Sequence, residues 1–166
     1  MRVAFGLGSN LGDRVAHLRA AVAGLAEGGV GELRVSNAYE TDPVGGPAQP
    51  DYLNAVAVGE TTLAAAELLS LAKSLEHQAQ RVRTVRNASR TLDVDILALG
   101  DVVLRTEQLT VPHPRAHERA FVLVPWAEVD PGFAVPGLGK VAELADAVDA
   151  SGVRPGPAVD LGHAHA

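Results

Sequence analysis

Apolar and polar positions alternate weakly at the start of the chain, with Val3, Phe5 and Leu7 on one side. A period of two predicts a strand, and Gly8-Ser9-Asn10-Leu11-Gly12 makes a tight turn behind it. The period then lengthens. Val15, Leu18, Val22 and Leu25 recur at helical spacing until Gly28-Gly29, which predicts a helix over about 12–27. Leu33, Val35 and Tyr39 mark a second strand, and Tyr52 to Glu60 a third. The connection from Thr41 to Asp51 is long and rich in Gly and Pro, which suits a binding loop; a disordered hairpin tip is the alternative. Thr62 is the expected N-cap of a second helix running to about Gln80, with Leu68, Leu71, Ala72, Leu75 and Ala79 as its buried stripe. A strand over Leu92 to Leu97 completes the order strand, helix, strand, strand, helix, strand. That order predicts an α+β fold of the ferredoxin-like βαββαβ type, with two helices on one face of an antiparallel sheet.

Further along, Val102 to Leu104 suggests a small extra strand, and prolines hold Leu109 to Arg115 extended. Residues 117–126 mix charge with a short apolar run that Pro125 interrupts and read as a loop followed by a short helix, and Val141 to Val148 as a weaker helix. Residues 1–153 are expected to form a single domain, and 154–166 a mobile tail in which His163 and His165 are incidental.

A chain of 166 residues, 47% hydrophobic and 20% charged, has enough material for one core. No run approaches the ~18 apolar residues of a membrane span, and the start lacks the apolar region of a signal peptide. A cytoplasmic protein, with no membrane partner and monomeric by default, is therefore expected. The absence of cysteine removes disulfide scaffolds and thiolate metal sites. A net charge of −6 and a pI near 5.4 argue against general nucleic-acid binding.

Chemistry concentrates in Arg90-Thr91-Leu92-Asp93-Val94-Asp95-Ile96-Leu97. On a strand, Leu92, Val94 and Ile96 share one face, and Asp93 and Asp95 the other, with roughly 6.5 to 7 Å between the aspartate Cα atoms. Such a pair suits hard divalent cations such as Mg²⁺; acids on a half-solvated strand are the bland alternative. Immediately upstream, residues 81–90 hold four arginines and no acid. Arginine forks beside metal-binding carboxylates suit a nucleotide polyphosphate, which favours a phosphate clamp over a solvated basic loop. Lys73 and Glu76 lie on one side of the second helix and read, by themselves, as a surface ion pair.

Several stretches, in this order, carry a close resemblance to a known family: Gly8-Ser9-Asn10-Leu11-Gly12, Tyr52-Leu53-Asn54-Ala55, Arg81-Val82-Arg83, Arg90 to Ile96, and Val111 to Arg115 followed by Arg119 to Leu123. Over about residues 3–132 the chain resembles 6-hydroxymethyl-7,8-dihydropterin pyrophosphokinase of folate biosynthesis. The resemblance implies pyrophosphoryl transfer from ATP to the pterin hydroxymethyl oxygen, with release of AMP, on a ferredoxin-like fold with two Mg²⁺ ions. It implies Asp93 and Asp95 as metal ligands, and Arg81 and Arg90 as the groups that follow charge onto the transferred phosphates. It further implies Arg83, His113, Arg119 and Glu76 around the nucleotide. For the pterin it implies stacking by Tyr52 and Phe121, a hydrogen-bonding amide at Asn54, and backbone partners from Thr41, Asp42, Val44 and Gly45.

The chain departs from the family pattern at three places. Asn87-Ala88-Ser89 stands where an aromatic followed by Gly-Pro is common, Gln80 where glycine is usual, and Lys73 where glutamine is frequent. Weaker closure of the loop is expected from the first. Lys73 joins the expected nucleotide contacts, either on a phosphate or paired with Glu76. Two other classes share the βαββαβ order. RNA-recognition modules stack bases on central-strand aromatics, whereas Tyr52 to Glu60 offers one aromatic at its edge; nucleotide cyclases, which would give a cyclic product, and regulatory ligand-binding modules form the other class.

Overall fold

Strand β1 (Arg2–Ser9) lies at the centre of the sheet, antiparallel to β4 (Tyr52–Thr61) on one side and to β5 (Asp93–Leu99) on the other. The computed structural model describes residues 1–41, 51–80 and 92–162. β2 (Val30–Val35) and β3 (Tyr39–Thr41) both pair with the far edge of β4, and β10 (Val153–Pro155) adds outside β3. With helix α1 (Arg14–Gly28) between β1 and β2, and α2 (Ala65–Gln80) between β4 and β5, the connectivity is the expected ferredoxin-like one.

The single second strand expected over Leu33 to Tyr39 is two strands. Ser36 is the reason: its Oγ accepts the Val56 N–H at 2.9 Å, so a side chain replaces a backbone partner and the ladder breaks there. Helix α1 begins one residue after Asp13, whose side chain accepts the Ala16 N–H. Thr62 does not cap the second helix. Thr61 Oγ1 takes the Leu63 N–H and Glu67 takes the Ala64 N–H, so the helix starts only at Ala65.

Helices α1 and α2 cover one face of the sheet, where Val3, Phe5, Leu7, Leu53, Ala55 and Ala57 meet Leu18, Leu25, Leu68 and Leu75. The two helices approach closely because Gly24 leaves room for Leu75; a Cβ there would stand 2.2 Å from Leu75 Cδ2. The alternation in β4 is apolar on both sides, so Val56 and Val58 need cover on the other face. Helices α3 (Ala120–Val129) and α4 (Val141–Ala147) supply it, with Leu123 and Trp126 at the centre and Phe133 edge-on to Trp126 at 5.3 Å. The first two helices thus share one face as expected, and the C-terminal helices add a third layer on the other. Pro125 lies within α3 rather than interrupting it. Only one backbone donor is forfeited, and four buried side chains, Val122, Leu123, Pro125 and Trp126, hold the helix to the sheet.

Two small hairpins complete the chain: β6 (Leu104–Arg105) with β7 (Thr110–Val111), and β8 (Ala134–Val135) with β9 (Gly139–Lys140). The small strand expected at Val102 to Leu104 therefore begins at its last residue. Beyond Arg154, Pro155 pairs with Tyr39, Arg19 Nε donates to the Asp160 carbonyl at 2.8 Å, and Leu161 is buried in the first core. His163 and His165 lie outside the described residues.

Leu123 is fully buried between α3 and the sheet. Leu123→Ala is expected to lower unfolding free energy by about 2–5 kcal/mol, read as a lower urea midpoint with an unchanged slope.

Candidate active site

The register of three strands builds one side of the site. Val94 and Ile96 enter the first core, so Asp93 and Asp95 face the second side of β5, both half-buried. Across the sheet Asp93 pairs with Gly8 and Gly8 with Asn54, while Asp95 pairs with Gly6 and Gly6 with Val56. Asn54, Gly8 and Asp93 thus form a single row in which the middle position has no side chain. Two strand spacings put the Asn54 and Asp93 backbones about 10 Å apart. On β3, Tyr39 pairs with Asn54 and Thr41 with Tyr52, so all four side chains share this face. Asn54 Nδ2 donates to Thr41 Oγ1 at 2.6 Å, and both residues are buried. Phe121, in the first turn of α3, packs against the second core with the Arg119 guanidinium 5.6 Å from its ring centroid.

A second space opens on the outer edge of β5. That edge is closed by one side chain and one loop amide rather than by another strand: Glu76 Oε2 accepts the Val94 N–H, and the His113 backbone N–H donates to the Leu97 carbonyl, both at 2.8 Å. Between them lies a cleft of about 360 Å³ lined by Lys73, Glu76, Asp93, Asp95, residues 106–110 and His113. Its size is that of a small-molecule site. The aspartate pair stands between this cleft and the row that ends in Asn54.

The cleft is electrostatically divided. Burial raises the pKa of Glu76, and the hydrogen bond and charge of Asp93 raise it further, against the lowering effects of the Val94 N–H and Lys73. Burial lowers the pKa of His113; the charges of Arg119 and Arg115 add to this and that of Asp93 opposes it. His113 Nδ1 accepts the Arg115 N–H at 3.2 Å, which puts the proton of the neutral ring on Nε2. Among the described residues no group of three or more His, Cys, Asp or Glu side chains gathers to hold a metal. Mg²⁺ does not require such a cage, since one or two carboxylates suffice when water and phosphate supply the remaining oxygens. The mutual repulsion of Glu76 and Asp93 is what a dication would relieve, so the donor set fits.

Asp93, Asp95, Lys73, Glu76 and His113 therefore line the outer cleft, while Thr41, Tyr52 and Asn54 share one face of the sheet. Arg119 stands beside His113 and Phe121. Asp42, Val44, Gly45, Arg81, Arg83, Asn87 and Arg90 lie outside the described residues. Sequence reasoning passed over three contributors. Gly8 carried a signal, a glycine two positions after Gly6 in an apolar strand. Tyr39 and Glu128 carried none: the Tyr39 hydroxyl donates to Glu128 Oε1 at 2.6 Å, and its pKa is pushed up to about 12 by burial, with help from that carboxylate.

Comparison with known proteins gives concordant matches. The family model described as 7,8-dihydro-6-hydroxymethylpterin-pyrophosphokinase matches residues 4–131. A 2-amino-4-hydroxy-6-hydroxymethyldihydropteridine pyrophosphokinase of Bacillus subtilis (strain 168) is 48% identical over 124 residues, covering 74% of each chain. The protein of the same name from Mycobacterium tuberculosis (strain H37Rv) is 44% identical over 140 residues, 78% of this chain and 73% of that one. Among solved structures, a Plasmodium falciparum HPPK-DHPS triple mutant with STZ-DHP superposes with a TM-score of 0.68 at 13% identity. The match covers 87% of this chain and 42% of that longer chain, and it supports the fold alone.

The lowered pKa of His113 has a definite sign. Folding favours the neutral ring, so its contribution to stability is present above the ordinary 6.5 and lost as pH falls through the lowered value. Arg119→Met is expected to move the His113 pKa upward while leaving it below 6.5, because burial is the larger cause. An NMR pH titration of the ring protons checks this, and an unmoved midpoint would separate Arg119 from His113.

Proposed function

This chain belongs to the 7,8-dihydro-6-hydroxymethylpterin-pyrophosphokinase family, and we propose that it transfers the pyrophosphoryl group of ATP to 6-hydroxymethyl-7,8-dihydropterin. The products are the pterin diphosphate and AMP, a step of folate biosynthesis. The observation that carries this reading is the Asn54–Gly8–Asp93 row. It sets an amide able to bond the edge of a flat heteroaromatic on the same face as the carboxylates, with a nucleotide-sized cleft beyond them.

In this reading the nucleotide enters the cleft between α2 and the β6–β7 hairpin. Lys73, His113 and Arg119 bind its phosphates, His113 through the Nε2 proton, and Arg81, Arg83 and Arg90 join them from the segment between α2 and β5. Glu76 holds the Val94 N–H and so keeps the β5 edge, with its two aspartates, in place. On the other side Tyr52 and Phe121 stack the pterin, Asn54 bonds its edge, and the backbone of Thr41, Asp42, Val44 and Gly45 bonds its rim. The substrate hydroxyl then lies near Asp93 and Asp95. Its oxygen forms a bond to the β-phosphorus and gives up its proton to solvent, and the bond from that phosphorus to the α-phosphate oxygen breaks, which releases AMP. Mg²⁺ held by Asp93 and Asp95, as two ions, would neutralise the polyphosphate and the departing charge. Positioning of both substrates supplies the remainder. The same reading takes the chain as a cytoplasmic monomer acting on small molecules, without nucleic acid. Its net charge of −6 supports the last point, and no described helix is long and apolar enough to cross a membrane.

Incubation with MgATP and the hydroxymethyl-dihydropterin should release AMP, and only when the pterin is present; ADP or a cyclic nucleotide as product would refute the assignment. Asp95→Ala should lower turnover by several orders of magnitude while the protein remains folded, and near-full activity of that variant would make the pair a solvated strand edge. Phe121→Ala should weaken pterin binding by about 0.5–1.5 kcal/mol beyond lost area, checked calorimetrically with a non-hydrolysable ATP analogue present.

A further inference from the structure

Gly8 lies in the interior of the sheet, paired on both sides, and its backbone does not require a glycine. Gly12, Gly29, Gly100, Gly137, Gly139 and Gly162 have positive φ, whereas Gly8 does not. A glycine inside a strand weakens it, and where it is kept it marks a bulge or a close approach. The register shifts in this sheet lie elsewhere, between Ala4 and Phe5 opposite Leu97 and between Gly31 and Arg34 on β2. The close approach at Gly8 is specific. A Cβ there would stand 2.9 Å from Asn54 Oδ1 and 3.8 Å from Tyr52 Cδ1, and its three nearest atoms all belong to these two residues. At Gly6 the same test meets only the Leu97 side chain, at 3.3 Å, so the glycine one pair away serves core packing.

Asn54 has little freedom to give way. It is buried, and its amide nitrogen is held by Thr41 Oγ1 at 2.6 Å. A side chain at position 8 would therefore either break that bond or tilt the amide off its bearing. We propose that Gly8 is a specificity-determining position of the pterin site: its missing side chain lets the Asn54 amide and the Tyr52 ring lean over β1. They thereby present a hydrogen-bonding edge and a stacking face to a flat heteroaromatic. This rests on the reaction proposed above. Although Asp93 is the cross-strand partner of Gly8, none of its atoms is among the three nearest to an added Cβ, and Glu76 and His113 face Asp93 from the outer edge of β5.

The test is Gly8→Ala, with Gly31→Ala as control. Gly31 is also a strand glycine, and its added Cβ would meet nothing closer than the Glu60 carbonyl at 4.0 Å. In Gly8→Ala the KM for the pterin should rise about tenfold or more, with the KM for MgATP unchanged. In the ligand-free protein the Asn54 side-chain amide cross-peak in a ¹⁵N–¹H spectrum should shift, while Gly31→Ala leaves it in place. In an Asn54→Ala background, adding Gly8→Ala should raise the pterin KM less than about twofold further, because the obstructed group is gone. An unshifted amide peak, equal losses for both substrates, or a full additional loss in the Asn54→Ala background would overturn the proposal. Should Gly8→Ala fail to fold, refolding of the Gly8→Ala/Asn54→Ala pair supports the clash, and failure of both shows that the methyl meets something else. Absence of AMP formation by the wild-type protein would sink the assigned reaction instead, and the amide shift is read without it.

Discussion

The antiparallel register of β4, β1 and β5 is the constraint on which the rest of the structure depends. Side-chain direction in a strand has a period of two, so a slip of one residue in either pairing would send Asn54 or the aspartates into the first core. Burial fixes the register. Val3, Phe5 and Leu7, Leu53, Ala55 and Ala57, and Val94 and Ile96 all enter one apolar layer, and that layer admits no alternative in which polar groups replace them. The chemistry on the second face therefore rests on the hydrophobic commitment of the first. The bulge at Leu97 permits β5 to serve both layers: Ile96 and Leu99 remain in the first core while Leu97 and Ala98 turn into the second.

Placing two carboxylates on the outermost strand of this sheet segment solves one problem and creates another. An edge strand is accessible, which a polyphosphate site requires, but it exposes unpaired backbone groups. Glu76 answers this by accepting the Val94 N–H, at the expense of bringing a third carboxylate against Asp93. Burial raises its pKa, and that crowding raises it further. Lys73 eases it only in part, so the outer cleft is an anionic site with cationic walls, His113 being kept neutral beside Arg119 and Arg115. Such a site favours ligands that bring cations and phosphate together, since each component is attracted by what the other leaves unbalanced.

Most of the sheet and its helices were legible because their signals are local. The alternation around Asp93 and Asp95, the helical stripes over Leu18 to Leu25 and Leu68 to Leu75, and the turn at Gly28-Gly29 each lie within one element. What escaped was set between elements. The break between β2 and β3 depends on Ser36 reaching Val56, and the start of α2 on Thr61 supplanting Thr62. A helix near Phe121 was readable, but the face it covers was not, because that depends on Val56 and Val58 needing shelter. Gly8 is the sharpest case. Its neighbours Asn54 and Asp93 lie 46 and 85 positions away in sequence, and only the register makes the three a row.

Tyr39 and Glu128 show how the second face is held as one body. Glu128 sits near the end of α3 and accepts both the Tyr39 hydroxyl, at 2.6 Å, and the Asn37 N–H, at 3.0 Å. Asn37 lies in the break between β2 and β3 and Tyr39 directly after it, where the backbone would otherwise be least constrained. The contact therefore ties α3, which carries Phe121 at its other end, to the strand that carries Thr41. Thr41 in turn holds Asn54. Phe121 and Asn54 never need to touch for their separation to be fixed, because each is referred to β3, one through a helix and the other through a hydroxyl. Burial of the Tyr39 hydroxyl, reinforced by the Glu128 carboxylate, pushes its pKa up to about 12. The hydroxyl thus keeps the proton that makes the tie at pH values where an ordinary tyrosine begins to ionise.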